Sequence, residues 1–179
     1  MMDYHTANPV NQQGANEPNY DCPQDDPLLR IFIKVHVWGG RSGRNIFVRE
    51  GGLNWAAVRP HYKQLVDVCR NQTQIATPSE IAQAGEAFGN SVKNIGISFI
   101  TKHIHFWTYV SRGENALPIF DSIMSNRLGI AQQWCHADCY WEGMSILLAN
   151  NQGYTPWPNS MNSFERQLFK YFREHPTQD

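Results

Sequence analysis

The chain has 179 residues, of which 41% are hydrophobic and 17% are charged, and its net charge is −1. This length and apolar content predict one globular domain with a sizeable core. No apolar run approaches the roughly eighteen residues of a membrane span, and the N-terminus lacks the basic start and apolar centre of a secretion signal, so we expect a cytoplasmic protein that binds no membrane.

Residues 1–25 are rich in Asn, Gln, Pro and Gly and have no periodic apolar positions, which predicts a flexible lead-in before a folded domain at 26–179. Charge is divided unevenly along the chain. Residues 1–27 carry five acidic side chains and no basic ones, whereas the remainder has 15 basic and 11 acidic side chains and a net charge of +4. This mild excess fits a small contact area for phosphates and equally fits an ordinary soluble domain.

The first predicted helix begins at Asp26, an acidic N-cap that is followed by Pro27 at the first helical position. Gly39 ends it. The run from Ile31 to Val37 also alternates enough for a strand, so the sequence leaves both conformations open.

A basic, glycine-rich turn follows at 39–45 and contains Arg44. Exposed amides and guanidinium groups in such a turn are suited to hold a phosphate, and a plain solvated turn is the alternative. Because Trp38 and Arg44 would share one end of the helix, both are candidate ligand contacts.

Two amphipathic helices are predicted next, and both are most simply core helices. The first covers about 54–70, where apolar side chains recur at helical spacing and Pro60 either kinks the helix or marks its start. The second runs from Thr77 to about Phe88 and opens with a capping box, in which Thr77 and Glu80 satisfy each other's backbone groups.

The central stretch predicts a helix from about Ser98 to Tyr109. In this helix Lys102 lies close to one face with Phe99, Thr101, Phe106 and Tyr109, at three- and four-residue spacing. An ammonium group among aromatic rings loses hydration, and near a helix N-terminus it meets the positive end of the dipole, so its pKa should fall. A neutral amine is a nucleophile. The alternative is a lysine that extends its amine into solvent.

Asp121 follows a break at 111–115 and precedes a helical pattern that ends at Leu128, which predicts that Asp121 is the N-cap of this helix. The intervening loop is long enough to return Asp121 to Lys102. A carboxylate beside a neutral amine can orient it, or stabilise the positive charge that develops when the amine attacks carbon. Taken alone, Asp121 could be a cap and nothing more.

Two helices complete the pattern, a strongly apolar one at 131–150 and a last one that begins at Asn159 or Ser160. The last helix carries Glu165 and Phe169 one turn apart. Trp107 and Trp141 are core candidates, whereas Trp157 lies in an aromatic loop. Together the patterns predict an all-α, compact single domain of six or seven helices, without a β domain.

His103 and His105 lie two positions apart and cannot share one helical face, so they are a poor chelating pair. Cys135 and Cys139 can share a face and could form a structural zinc site with one of the two histidines. The preferred interpretation is that the cysteines are free thiols and that the protein uses no metal or cofactor.

One spacing resembles a known catalytic core. Lys102 is followed 19 positions later by the helix-capping Asp121, with Pro118 shortly before it. This arrangement resembles the helix-hairpin-helix DNA glycosylase superfamily, and is most similar to the 8-oxoguanine DNA glycosylases and the short bacterial chains that share their fold. Glu165 and Phe169 match a second segment of those enzymes, in which a polar residue and a Phe four positions later read and stack the extruded base. The resemblance covers roughly 38–172.

The resemblance implies that Lys102 attacks C1′ of an everted nucleotide and forms a Schiff base, while Asp121 supports the positive charge. Base release and strand cleavage by β-elimination would follow. From their positions beside glycines or prolines, Trp38 and Trp157 are candidate contacts for the extruded base, and Arg44 could hold a phosphate or enter the gap that the flipped base leaves. The implied substrate is double-stranded DNA that contains a base like 8-oxoguanine, or a modified base of foreign DNA in a defence role, and we expect a monomer. A non-catalytic helical DNA- or protein-binding module, with or without a structural zinc, is the alternative.

Overall fold

A computed structural model describes residues 26–39, 45–48, 52–93, 95–150 and 159–175. Within these ranges the chain forms α-helices and short 3₁₀ turns and no strand, which confirms the predicted all-α fold. The helices are α1 (Pro27–Trp38), α2 (Asn45–Val48), α3 (Trp55–Arg70), α4 (Pro78–Ser91), α5 (Ile97–Arg112), α6 (Ser122–Leu128), α7 (Ala137–Asn150) and α8 (Met161–Glu174). The predicted lead-in at 1–25, Arg44 and Trp157 lie outside the described residues. None of the described helices has both the length and the apolar character needed to cross a bilayer.

The predicted helices are present, with some ends shifted. The alternating run near the start is helical rather than extended, because the Asp26 side chain caps α1 by accepting the Leu28 N–H. Pro60 lies inside α3 without ending it. The capping box of Thr77 is formed, and α4 continues past the predicted end at Phe88 to Ser91.

Two elements differ from the prediction. The apolar run at 131–150 becomes α-helical only at Ala137, and a 3₁₀ turn, Trp134–His136, precedes it. The reason is tertiary, since the Trp134 ring packs against the Cα of Gly85 in α4. The four-residue helix α2 was not predicted, because four residues give no helical periodicity, although it buries Ile46 in the core.

The core lies between α3, α4 and α5, and α5 also packs against α1. Helix α7 covers α4, while α8 packs against α6 and α7. Trp107 and Trp141 are buried, as predicted. The largest side chains with no appreciable exposure include Trp55, Trp141, Tyr62, Tyr140, Phe32, Phe88 and Phe120. Lys102 is half-buried at the edge of this core.

Three glycines, two in α4 and one directly after α1, allow close packing around α5. A Cβ atom on Gly89 of α4 would lie 2.7 Å from Ile100 Cδ1, and one on Gly85 would lie 2.6 Å from Trp134. A Cβ atom on Gly39, directly after α1, would overlap the Phe99 ring. A side chain at any of these positions would require the neighbouring ring or methyl group to shift, so the absence of one allows the end of α1 to lie against the first turn of α5.

Asp26 fixes the start of α1 to α3. Its buried carboxylate accepts hydrogen bonds from the Leu28 N–H and from Trp55 Nε1, both at 3.0 Å, and from Arg59 Nε. Burial by itself would raise the pKa of Asp26, but the hydrogen bonds from Trp55, Arg59 and Leu28 outweigh it, and the pKa falls below its usual value. The ionised carboxylate therefore stabilises the fold.

Replacing this carboxylate by an amide tests the anchor. In Asp26→Asn the NH₂ group would face two N–H donors, Trp55 and Arg59, so the free energy of unfolding at neutral pH should fall by about 1–3 kcal/mol in urea titrations. The control is Asp67→Asn, which removes the exposed ion pair with Lys63 and should cost less than about 0.5 kcal/mol.

The stability lost in Asp26→Asn should also depend on pH. Because the folded pKa of Asp26 is depressed, its contribution is present above the unfolded value of 3.8 and is lost as the pH falls through the folded value. The difference between Asp26→Asn and the unmodified chain should therefore shrink as the pH falls below 3.8. Equal losses for the Asp26 and Asp67 variants would contradict the anchoring role.

Candidate active site

Lys102 lies in the second turn of α5 and is half-buried. Its Nζ donates to Ser98 Oγ at 3.0 Å and to the Ser98 carbonyl at 3.4 Å, and it lies 4.6 Å from the centre of the Phe99 ring. Only part of the aromatic environment that was predicted for Lys102 is present. Phe99 contacts the ammonium group, whereas Phe106 and Tyr109 are 40% and 39% exposed.

Burial lowers the pKa of Lys102 below its usual value, and the charges of Asp121 and Glu165 partly oppose this shift. The predicted direction is therefore confirmed. Within the described parts of the chain, Lys102 forms no ion pair with either carboxylate. The amine thus contacts the Ser98 hydroxyl group and the Phe99 ring. Asp121 and Glu165 act on it electrostatically, without an ion pair among the described residues.

Asp121 is the N-cap of α6, as predicted. Its Oδ1 accepts the Met124 N–H at 3.0 Å, and its carbonyl accepts the Ser125 N–H at 2.9 Å. The cap fixes one carboxylate oxygen at the helix start. The charge of this carboxylate acts to raise the pKa values of both Lys102 and Glu165, so the three side chains lie within electrostatic range of one another.

Glu165 of α8 contacts the loop that precedes Asp121. Its Oε1 accepts the Ile119 N–H at 2.7 Å, and its Oε2 lies 3.8 Å from His105 Nδ1. Burial raises the pKa of Glu165 to about 8, although the hydrogen bond from Ile119 opposes the shift. At neutral pH the group is therefore mostly a protonated acid, with one oxygen already bound to the backbone.

The other candidates are less closely tied to the lysine. Phe169, one turn after Glu165, is partly buried against the core and lies 5.9 Å from the guanidinium carbon of Arg173. Trp38 is 49% exposed at the end of α1, next to the Gly39 contact with Phe99. Arg44 falls outside the described residues.

No pattern in the sequence indicates how the loop before Asp121 is held. Residues 117–120, here called the Pro118 segment, have neither helix nor strand structure, yet each of their backbone N–H and C=O groups is hydrogen-bonded by a side chain. The N–H groups donate to Thr108 Oγ1, Glu165 Oε1 and Thr101 Oγ1, and the C=O groups accept from His105 Nδ1, Trp141 Nε1, Tyr140 Oη and Gln132 Nε2. Pro118 has no N–H group. The loop that carries Asp121 is therefore fixed by α5, α7, α8 and the Gln132 loop.

The contacts of Ser98, Thr101, Tyr140 and Trp141 were not predicted from the sequence, for different reasons. Ser98 lies four positions before Lys102, so helical spacing alone would have paired them. Thr101, Trp141 and Tyr140 follow the apolar periodicity of core helices, and no local pattern marks their polar atoms as ligands of a distant backbone.

The zinc site considered from the sequence finds no support among the described residues, where no group of three or more possible ligands occurs. His103 is fully buried and shares a hydrogen bond with the Tyr62 hydroxyl at 3.0 Å. His105 is bound to the Leu117 carbonyl, and Cys135 and Cys139 are exposed.

The site can be compared with known proteins. No curated protein and no solved structure matches the chain. A family model described as "Putative 8-oxoguanine DNA glycosylase OGG-like protein" matches residues 19–171, a range that contains Lys102, Asp121, Glu165 and Phe169. Since this match covers most of the sequence, the chain belongs to the family of 8-oxoguanine DNA glycosylase OGG-like proteins, for which base excision from DNA is the activity at the family level.

Proposed function

We propose that this protein excises a modified base from double-stranded DNA and that Lys102 is the nucleophile. The observation that carries the proposal is the environment of its amine. Nζ is half-buried, its pKa is lowered, and Asp121 acts on it without forming an ion pair among the described residues. A lysine in this state holds a larger neutral fraction than a surface lysine, and the neutral amine is the nucleophilic form.

The proposed reaction begins with the amine of Lys102. Neutral Nζ attacks C1′ of an everted nucleotide, the bond from C1′ to the base nitrogen breaks, and its electron pair leaves with the base, which takes up the proton that Nζ releases. Opening of the sugar, with a proton on O4′, leaves an imine between Nζ and C1′. Loss of a C2′ proton then breaks the bond from C3′ to the phosphate oxygen, and water hydrolyses the imine.

Asp121 supports the charged steps. Positive charge develops at C1′ and on Nζ as the base departs, and a fixed carboxylate nearby lowers the energy of that state. Because Oδ1 is held by the Met124 N–H, the carboxylate is already oriented before the substrate binds. The pKa of Glu165 is raised to about 8, so Glu165 contributes little negative charge to the site at neutral pH.

The base would lie between α8 and the end of α1. Phe169 offers a ring for stacking, Trp38 is half-exposed beside the Phe99 contact, and Arg44 would reach a phosphate or the vacated position in the duplex. Glu165 would contact the edge of the base through Oε2, since Oε1 is bound to Ile119. We propose a guanine-like base such as 8-oxoguanine as the substrate, with a modified base of foreign DNA as the second candidate.

Borohydride trapping tests the nucleophile. Incubation with duplexes that contain 8-oxoguanine or a panel of other modified bases, followed by reduction, should give a covalent protein–DNA adduct because the imine is reduced to a stable amine. Lys102→Gln should lower the adduct yield by at least about 100-fold.

Lys63→Gln is the matched control, since it removes an exposed lysine of α3 that pairs only with Asp67 among the described residues. It should trap DNA as the unmodified chain does. An adduct that persists in Lys102→Gln would disprove the proposed nucleophile. DNA binding with neither base release nor adduct on any duplex would instead favour the non-catalytic binding module.

Two substitutions at Asp121 separate its charge from its cap. Asp121→Asn retains a capping oxygen, so the free energy of unfolding should change by less than about 0.5 kcal/mol, whereas Asp121→Ala should lose about 1 kcal/mol. Both should slow single-turnover base release by about 100-fold, because both remove the charge. Full activity in Asp121→Asn would show that the residue is a cap only.

The raised pKa of Glu165 predicts a pH-dependent stability. Between the unfolded value of 4.5 and the folded value of about 8, the folded protein keeps a proton that the unfolded chain releases, so the contribution of Glu165 is lost as the pH rises. Relative to Glu165→Gln, the unmodified chain should lose at most about 1.4 kcal/mol of stability per pH unit in this window.

Urea titrations at several pH values measure this difference. The control is Glu174→Gln, which removes an exposed carboxylate in the last turn of α8 and should follow the unmodified chain at every pH. A constant difference between the unmodified chain and Glu165→Gln across the window would contradict the raised pKa.

A further inference from the structure

Two threonines of α5 hold the Pro118 segment at its two outermost N–H groups. Thr108 Oγ1 accepts the Leu117 N–H, and Thr101 Oγ1 accepts the Phe120 N–H, each at 3.1 Å. The threonines are seven positions apart, which places them on one face of the helix two turns apart. Both are fully buried. One of the two attachments thus lies four residues before Asp121, and the other lies directly before it.

The hydrogen bond between Thr101 and Phe120 lies one residue upstream of the candidate catalytic pair on both chain segments. Thr101 precedes Lys102, and Phe120 precedes Asp121, so the hydrogen bond joins the residues directly upstream of the amine and the carboxylate. The Thr101 hydroxyl also donates to the Ser98 carbonyl at 3.2 Å, which directs a lone pair of the oxygen to Phe120. Ser98 in turn holds Lys102 Nζ through its own hydroxyl at 3.0 Å.

We propose that Thr101 is a positioning residue whose hydroxyl sets the separation between Lys102 Nζ and the Asp121 carboxylate. The separation has no direct contact to fix it, because the two side chains form no ion pair among the described residues. It must therefore be set through the backbones that carry them. The consequence of this role for the reaction rests on the proposed function, since a displacement of about 1 Å in a reacting pair can cost about 100-fold in rate.

The matched variants are Thr101→Val and Thr108→Val. Each keeps the shape of the side chain, removes one buried hydroxyl and leaves one N–H of the Pro118 segment without its acceptor. Similar losses of thermal stability are expected for the two. Only Thr101→Val releases the residue next to Asp121, so the two variants separate positioning from stability.

The first measurement is an NMR titration of the Lys102 side chain, which requires no DNA. The charge of Asp121 raises the pKa of Lys102, so a carboxylate that moves away in Thr101→Val should lower that pKa. Thr108→Val should leave it unchanged. In an Asp121→Asn background, Thr101→Val should have no further effect, because the charge that it positions is gone.

The second measurement is the single-turnover rate of adduct formation with borohydride. Thr101→Val should be at least about 10-fold slower than the unmodified chain at equal DNA affinity, and Thr108→Val should stay within about 3-fold. Thr101→Ser, which retains a hydroxyl group, should restore most of the rate.

An unchanged Lys102 pKa in Thr101→Val overturns the proposal, and so does an equal shift in Thr108→Val. If the unmodified chain traps no DNA while the Thr101-specific shift is present, the proposed function fails and the positioning role stands. If trapping occurs but is equally fast in Thr101→Val and Thr108→Val, the nucleophile stands and the positioning role fails.

Discussion

The geometry of the site depends on a rule about buried backbone. An amide N–H or C=O group that is removed from water must find a hydrogen-bond partner, and the Pro118 segment has no helix or sheet to supply one. Side chains from three helices and one loop do so instead. Asp121 follows this segment directly, so its position is fixed by bonds that it does not make itself. A loop between two helices thereby becomes as well defined as the helices around it.

The same burial determines the charges. Removal from water favours the neutral form of any ionisable group, and it lowers the pKa of Lys102 while raising that of Glu165. The two groups therefore need not be buried as a full ion pair, whose desolvation costs more than its attraction returns in many proteins. Asp121 caps α6 at the edge of the core and is only half-buried. The site thus combines an amine whose pKa is lowered, an acid whose pKa is raised and a carboxylate oriented by its helix cap.

What could be predicted from the sequence was local. Four helices begin directly after a capping residue: Asp26, Thr77, Asp121 or Ser160. Such a cap can be recognised in the sequence because its side-chain oxygen accepts an N–H group that lies two or three residues later. The start of α7 could not be found in this way. It depends on Trp134 packing against Gly85, which lies 49 positions away in the sequence, and an apolar run does not reveal which residues it will pack against.

The sequence by itself determined the helical fold, the cap at Asp121 and the 19-residue spacing that links it to Lys102, because these follow from short-range periodicity and hydrogen bonding. Only the tertiary structure decided how the pair is held. It placed Glu165, which the resemblance assigned to the extruded base, in a hydrogen bond with the Ile119 N–H, and it made the Thr101 hydroxyl the acceptor of the Phe120 N–H. The physical reason is that the partner of a buried polar atom is chosen by the packing of distant segments, which no local pattern records.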